Sequence, residues 1–249
     1  KVSELTALDY SDGNEELIVN DGGISKKITQ ADLLDCHHPT STSSLGVGRL
    51  TLDNNTGVSN TAVGYTALRY NTTGERNTAL GYRTLLNNTT GYRNSCVGHD
   101  SMFTNTTGYY NTAIGYQTLY FNTTGKYNVA VGMQSLYNNT TASGNTAVGY
   151  TALFSNTGSN NSALGYAALK DNTTGVSNTA LGYNALLYNT TGIYNNATGY
   201  KALYYNTTGS KNTADGLQSL YNNTTGYENA ANGYRALFYN TTGRYNAAV

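Results

Sequence analysis

Small, apolar and polar residues recur along most of the chain in one order, N-T-A-x-G-Y-x-A-L-x-x-N-T-T-G-x-x, which occupies 17 residues. The first asparagine of this unit, taken here as position one, occurs twelve times between Asn60 and Asn246. One step, from Asn145 to Asn161, is a residue shorter because its turn reads Asn156-Thr157-Gly158. A short fixed period indicates one small unit stacked many times, so the sequence predicts a rod and not a globule.

Within one unit, the alternation of residue types predicts two short strands and a turn. The first strand covers N-T-A-x-G-Y and the second covers x-A-L-x-x, while N-T-T-G forms a turn in which glycine permits a positive φ. Strand side chains alternate between faces, so one face of the first strand carries Asn, Ala and Gly, and the other carries Thr, an aliphatic residue and Tyr. We therefore expect an all-β chain that forms a parallel β-solenoid or β-roll of 17-residue coils.

Four positions of the unit accept few residue types, and the side chains at each of them are expected to form a column along the stack. The fifth position is always glycine, which implies close approach of another coil, and the ninth is always Leu or Met, which indicates a core position. The asparagine of the turn offers an amide ladder, and the sixth-position tyrosine offers an aromatic column. These structural ladders are predicted at Gly64, Gly81 and Gly115, at Leu68, Leu85 and Leu119, at Asn71, Asn88, Asn105 and Asn122, and at Tyr65, Tyr82 and Tyr116.

Both faces of the first strand are apolar or small, and neither has the polar character of a solvent-facing surface. A solenoid that exists as a monomer should show one polar face. The simplest way to keep the second apolar face out of solvent is to cover it with a partner chain. We therefore expect a homo-oligomeric rod. The fourth position changes from Val63, Leu80 and Ile114 to Thr198, Asp215 and Asn232, so the surface that it faces becomes more polar toward the C-terminus.

Three segments differ in composition. Residues 1–41 are non-repetitive and are predicted to form a small α+β attachment module, with strands at 15–20 and 24–28 around an Asp-Gly-Gly turn and a short helix at about 30–35.

Residues 42–59 resemble a degenerate first coil, in which Leu45-Gly46 corresponds to x-G and residues 54–57 correspond to N-T-T-G. Residues 60–249 form the repeat shaft. Because the sequence stops inside a unit, we expect it to be part of a longer chain.

The charge balance and the scarcity of reactive side chains argue against several classes of function. Fourteen Lys and Arg balance 14 Asp and Glu, which argues against a nucleic-acid surface, and no apolar run approaches the ~18 residues that span a membrane. Nothing resembles a catalytic constellation, so we expect no enzyme activity and no cofactor. Cys36, His37 and His38 lack a second ligand cluster, His99 replaces a column tyrosine, and Cys96 replaces a small buried alanine.

N-T-T is also an acceptor sequence for N-glycosylation, and it recurs in most units, as at Asn71, Asn122 and Asn206. A sugar-decorated rod is therefore an alternative to a rod in which Asn-Thr-Thr-Gly serves only as a turn with an asparagine ladder. The threonine columns also permit an ice-binding interpretation, which the intervening glycines and variable flanking residues weaken.

Two stretches of the chain resemble known families. Residues 3–8 read S-E-L-T-A-L and residues 16–34 read E-L-I-V-N-D-G-G-I-S-K-K-I-T-Q-A-D-L-L, which resembles the N-terminal module of tail-fibre and appendage proteins of tailed phages. The repeats resemble N-T-A-x-G-Y-x-A-L arrays in fibre-like proteins of phages and marine bacteria. More loosely, they are similar to the S-x-A-x-G head repeats of trimeric autotransporter adhesins, which form left-handed parallel β-rolls packed as trimers.

The resemblance implies a homotrimeric structural fibre of a tailed virus, located in the virion, that mediates attachment to the host surface. Its N-terminus would bind a tail or baseplate protein, and the fibre would contact a host-surface glycan or protein. The attachment residues that we assign are Leu17, Val19, Ile28, Leu33 and Leu34.

Variable positions of the shaft are candidates for weak multivalent glycan contacts, namely Arg69, Arg83, Lys126, Lys201 and Arg235. The alternative function is that of a bacterial cell-surface adhesin or extracellular sheath filament.

Overall fold

Residues 43–249 form a continuous β-solenoid in the computed structural model, which describes these residues together with 16–21 and 24–29. Thirteen strands make a single sheet in which each strand pairs with its neighbours in sequence, always in parallel. The solenoid has about 12 turns of ~17 residues, and the described residues contain no helix. The predicted all-β parallel solenoid is therefore confirmed.

Each solenoid coil contributes one strand of three residues, except the last strand, which has two. The N-terminal strands are β1 (Glu16–Asp21) and β2 (Ile24–Thr29). The solenoid strands are β3 (Leu45–Val47), β4 (Thr61–Val63), β5 (Thr78–Leu80), β6 (Ser95–Val97), β7 (Thr112–Ile114), β8 (Val129–Val131), β9 (Thr146–Val148), β10 (Ser162–Leu164), β11 (Thr179–Leu181), β12 (Asn196–Thr198), β13 (Thr213–Asp215), β14 (Ala230–Asn232) and β15 (Ala247–Ala248).

The predicted N-terminal hairpin is confirmed. β1 and β2 pair antiparallel, with Leu17 opposite Ile28 and Val19 opposite Lys26. The helix predicted at about 30–35 lies outside the described residues, as do Leu33, Leu34, Cys36, His37 and His38.

The second strand predicted in each coil is wrong. Turns occupy that stretch, and the residues at positions seven and nine have a left-handed backbone, with φ of 54° at Thr66 and 50° at Leu68. Residues other than glycine rarely adopt this conformation, at a cost of about 1–3 kcal/mol each. Hydrogen bonds between coils nevertheless continue here, because the Leu68 N–H donates to the Thr84 carbonyl at 3.0 Å. A pattern of residue types cannot reveal this alternation of backbone handedness.

Glycine has two separate roles in the coil. At position five it has a positive φ, 135° at Gly81, and a Cβ built there would lie 2.5 Å from the Gly98 carbonyl oxygen. The glycine of N-T-T-G does not have the positive φ that we expected. It is required for space, because a Cβ at Gly91 would lie 2.3 Å from Asn88 Oδ1 and 2.5 Å from the Gly108 oxygen.

The first coil has a different register from the one predicted. β3 pairs with β4 so that Gly46 lies opposite Ala62 and Val47 opposite Val63. Val47-Gly48 therefore corresponds to x-G, and Leu45-Gly46 does not. Ser44 replaces the first asparagine of the unit, since its Oγ accepts a hydrogen bond from the Asn60 N–H at 3.0 Å.

The interior of the solenoid is narrow. The ninth-position side chains and the central alanines of the strands make its apolar core, and Leu68, Leu85 and Leu119 are all 0% exposed. Cys96 replaces one of these alanines, and its Sγ lies 3.2 Å from Met102 Sδ. Burial raises the pKa of the Cys96 thiol well above its ordinary value, which keeps the sulfur protonated and unreactive.

We expect Gly81→Ala to destabilise the solenoid by more than about 2 kcal/mol, because the new methyl group meets backbone atoms in a conformation that alanine rarely adopts. Thermal unfolding followed by circular dichroism measures the effect. Thr90→Ala, at an exposed turn position, is the control and should leave the midpoint nearly unchanged. Equal midpoints for the two variants would contradict the required close approach of coils.

Candidate functional site

Two columns of buried asparagine join successive coils. At position one, Asn94 Oδ1 accepts hydrogen bonds from the Asn111 backbone N–H at 3.0 Å and from its Nδ2 at 3.1 Å. At position twelve, Asn105 Nδ2 donates to Asn88 Oδ1 at 2.7 Å and to the Gly108 carbonyl at 3.1 Å. In the same column, Asn88 Nδ2 donates to Asn71 Oδ1 at 2.6 Å. Asn122 Nδ2 donates to Asn105 Oδ1 at 2.8 Å. In these regular coils both Nδ2 hydrogens of each such amide are thus used inside the rod.

These bonds exclude the glycosylated alternative for the folded coils. Asn71, Asn122 and Asn206 are 0% exposed, and the Asn122 Nδ2 donates to Asn105 Oδ1 and to the Gly125 carbonyl at 3.2 Å. A sugar on Nδ2 would replace one of these hydrogens and would have to occupy the protein interior. The N-T-T motif therefore acts as a turn with a buried ladder.

The second ladder is interrupted once, at the short coil. Asn139 Oδ1, the acceptor of this ladder at the short coil, is buried and has no hydrogen-bond partner among the described residues. In the first column, Asn145 keeps its backbone bond to Asn128 Oδ1, but its Nδ2 is also buried without a partner. Asn156 donates to the Gly158 carbonyl at 2.7 Å and starts a new ladder by accepting from Asn172 Nδ2 at 2.7 Å. The first coil begins its ladder in the same way, through the shortened Asn55-Thr56-Gly57 turn. The sequence shows the shortened turn, but not the interruption that it causes.

A substitution in the preceding coil accompanies this interruption. Ala142 replaces the turn glycine in the coil before the short one. At the equivalent Gly125, a Cβ would lie 2.3 Å from Asn122 Oδ1 and 2.6 Å from the next carbonyl oxygen, that of Ala142. The Ala142 methyl group therefore needs space that a regular following coil would occupy, and the missing residue of the short coil provides it.

The predicted tyrosine column lies on the exterior. Tyr65 and Tyr82 stack with ring centroids 5.4 Å apart, and His99 takes the next place, 4.7 Å from Tyr82 and 5.4 Å from Tyr116. The stacked rings remain exposed, at 42% for Tyr65 and Tyr82 and 43% for Tyr116.

A second aromatic column, at position ten, was not predicted. It is half-buried and includes Phe103, Tyr120 and Tyr137, with successive centroids 5.2 and 5.3 Å apart. Near its C-terminal end, burial and a hydrogen bond with Tyr188 raise the pKa of Tyr204 to about 12. The recurrence of Phe and Tyr after the ninth-position leucine was the signal that could have revealed it.

The five cations predicted to contact glycans pack on aromatic rings of the shaft instead of extending freely. Arg83 lies over Phe103 at 4.9 Å and forms two hydrogen bonds of 2.7 Å with the buried Asp100, which raise the pKa of its guanidinium. Cation–ring distances for the others are 5.3 Å at Arg69, 5.3 Å at Lys126, 5.0 Å at Lys201 and 4.7 Å at Arg235. These contacts reduce what each cation can offer a ligand.

The outward face of the sheet carries no charged residue from Leu45 to Thr198. The central residue of each strand is buried, and the flanking residues point outward. Aliphatic side chains form one exposed row on this face, with exposures between 38% and 50% at Val63, Val97, Ile114, Leu164 and Leu181. The row becomes polar at Thr198, Asp215 and Asn232, the positions at which the sequence changes character.

Comparison with protein-family models, with curated proteins and with solved structures gives no match. Among the described residues, no three His, Cys, Asp or Glu side chains are grouped so that they could hold a metal ion. In the same part of the chain, no helix has the length and apolar character needed to cross a membrane.

We expect Asn88→Asp to destabilise the shaft by about 3 kcal/mol at neutral pH, because the carboxylate would face Asn71 Oδ1 and the Gly91 carbonyl. These oxygens raise the folded-state pKa of the new carboxyl group. Stability is therefore retained below the unfolded pKa of about 4 and lost as the pH rises through the raised value. Thermal midpoints at acid and neutral pH measure this. Asn87→Asp, at a half-buried neighbour, is the control, and an equal loss there would contradict the ladder's role.

Restoring the short coil should require two changes together. Insertion of one threonine after Thr157, combined with Ala142→Gly, should let Asn156 reach Asn139 Oδ1 and stabilise the shaft by about 1–2 kcal/mol. The insertion alone should give no gain, because the Ala142 methyl group occupies the space. Thermal midpoints of the single and combined variants measure the coupling, and additive effects would show that the two features are unrelated.

Proposed function

We propose that this chain is the shaft of a tail fibre or appendage of a tailed virus, and that it mediates attachment to the host surface. The observation that carries the proposal is the unbroken parallel pairing from β3 to β15, in which every coil repeats its neighbour. With ~4.8 Å between paired strands, the stack is a rod about 60 Å long. Such a rod suits mechanical reach and the presentation of repeated surface features.

The outward sheet face supports self-association. Its aliphatic row is flanked by threonines, as at Thr61 and Thr112 beside Val63 and Ile114, and has no charged residue until Asp215. Extended exposed apolar surface of this kind usually marks a protein–protein interface. A second and third copy of the chain, laid face to face along the first coils, would cover it and give the homotrimeric shaft that the resemblance implies.

In this arrangement the two ends of the chain have different roles. The β1–β2 hairpin, with Leu17, Val19 and Ile28, is the part that we assign to binding a tail or baseplate protein. The C-terminal coils, where the outward row turns polar at Thr198, remain free of the apolar contact and face the host surface.

We expect light scattering to give three times the chain mass for the purified protein. Val97→Lys combined with Ile114→Lys should shift the protein to monomer, because two charges per chain would be buried at the interface. Asn232→Lys is the matched control on the same face beyond the apolar row, and it should leave the mass unchanged. A monomeric wild-type protein would contradict the assembly.

The attachment function is tested with the full chain carrying a fluorescent label, applied to bacterial cells that differ in surface glycans. Saturable binding to some strains, displaced by unlabelled protein, is the expected result. The absence of saturable binding at micromolar concentration to every strain would contradict host-surface attachment by this part of the fibre.

A further inference from the structure

A groove of about 690 Å³ runs along the last coils of the shaft. Residues of position eleven lie on one side of it and threonines of position thirteen lie on the other. Its size is that of pockets that hold small ligands. The lining residues are Asp171, Tyr188, Tyr205, Asn222, Tyr239, Thr190, Thr207, Thr224 and Thr241.

The threonine side of the groove is apolar because its hydroxyl groups are used along the stack. Thr190 Oγ1 donates to the Thr207 carbonyl, Thr207 to Thr224, and Thr224 to Thr241, each at 3.1 Å. With the hydroxyl directed to the next coil, the methyl group is the part of each side chain that remains for a ligand. The groove therefore offers a ligand apolar contact over several coils.

The tyrosine side contains a gap of one coil. Tyr188 and Tyr205 stack with parallel rings at 5.6 Å, but Asn222 replaces the next ring before Tyr239 continues the row. Two coil steps, about 10 Å, separate the positions of Tyr205 and Tyr239, which leaves height for one ring between them. The Asn222 Nδ2 donates to the Phe238 carbonyl at 3.0 Å, so its Oδ1 is the group that can accept a hydrogen bond from a ligand.

The charge of the residues that line the groove indicates which kind of ligand it can bind. Asp171, at the N-terminal end of the groove, is its one charged lining residue, and no cation lines the groove among the described residues. An acidic polymer would meet this carboxylate without compensation. A neutral sugar ring fits better, because its C–H face can pack on tyrosine while its hydroxyl groups reach an amide oxygen and phenol groups.

We propose that the gap over Asn222, between Tyr205 and Tyr239, is a subsite for one uncharged pyranose ring of a linear glycan that lies along the groove. This inference rests on the proposed attachment function and gives it a ligand class. The groove is parallel to the shaft, so a glycan chain occupies several coils at once.

The test uses the full chain and three neutral hexasaccharides, cellohexaose, maltohexaose and hexa-N-acetylchitohexaose, with a hyaluronan hexasaccharide as the acidic probe. Titration calorimetry should show binding of at least one neutral probe and weaker or no binding of hyaluronan. Asn222→Tyr should weaken that binding about tenfold or more, because a ring there continues the row and fills the gap. Asn87→Tyr is the matched control, since Asn87 has the same position in its coil and the same bond, to the Phe103 carbonyl at 3.0 Å, but lies outside the groove.

Tyr205→Ala provides a second variant if Asn222→Tyr unfolds, and it should also weaken binding of the neutral probe. Absence of binding by all three neutral probes at millimolar concentration, a preference for hyaluronan, or unchanged affinity in the folded groove variants would overturn the proposal. The two proposals can fail independently. A trimeric protein that binds none of the sugars would contradict the subsite and leave the fibre assembly intact. Sugar binding by a monomer would support the subsite and remove the trimeric shaft.

Discussion

The hydrogen bonds that join each buried asparagine to its counterpart one coil away hold the rest of this structure in place. The interior has little apolar volume, because each coil contributes one Leu or Met and a few small residues. Asn94, Asn111 and most of their counterparts are fully buried, where an unpaired amide would be costly. Each amide therefore fixes the spacing of two coils, and the left-handed residues at Leu68 and its equivalents are tolerated inside this framework.

The same dependence explains the one irregularity of the shaft. Ala142 and the shortened turn at Asn156 occur together, and between them the position-twelve ladder stops and starts again. Backbone pairing continues across this point, since β8 pairs with β9 and β9 with β10 in register. The shaft is thus one continuous sheet that contains two successive amide ladders. A repeat protein can accommodate such a change because each coil contacts only its neighbours.

Because the amides and glycines are committed to the interior, the functional surface consists of what the coils leave outside. The tyrosines of the outer column stack on one another, and the cations lie on aromatic rings. Two other features are open to a partner: the aliphatic row of the sheet face, and the groove in which Asn222 interrupts the tyrosine row. The first suits a second copy of the chain, and the second suits a neutral sugar. Both proposals place recognition in a repeated surface and not in a catalytic cleft.

The sequence alone determined the solenoid, the coil length, the core leucine and the close approach at the fifth-position glycine, because a 17-residue period aligns identical residues in columns. It did not determine the path of the backbone between columns. The left-handed conformation at Thr66 and Leu68, the register of Gly46 opposite Ala62, and the steric role of Gly91 depend on atoms of the neighbouring coil. The gap over Asn222 and the unpaired Oδ1 of Asn139 likewise exist only after stacking, since residues 17 positions apart become neighbours through the tertiary structure.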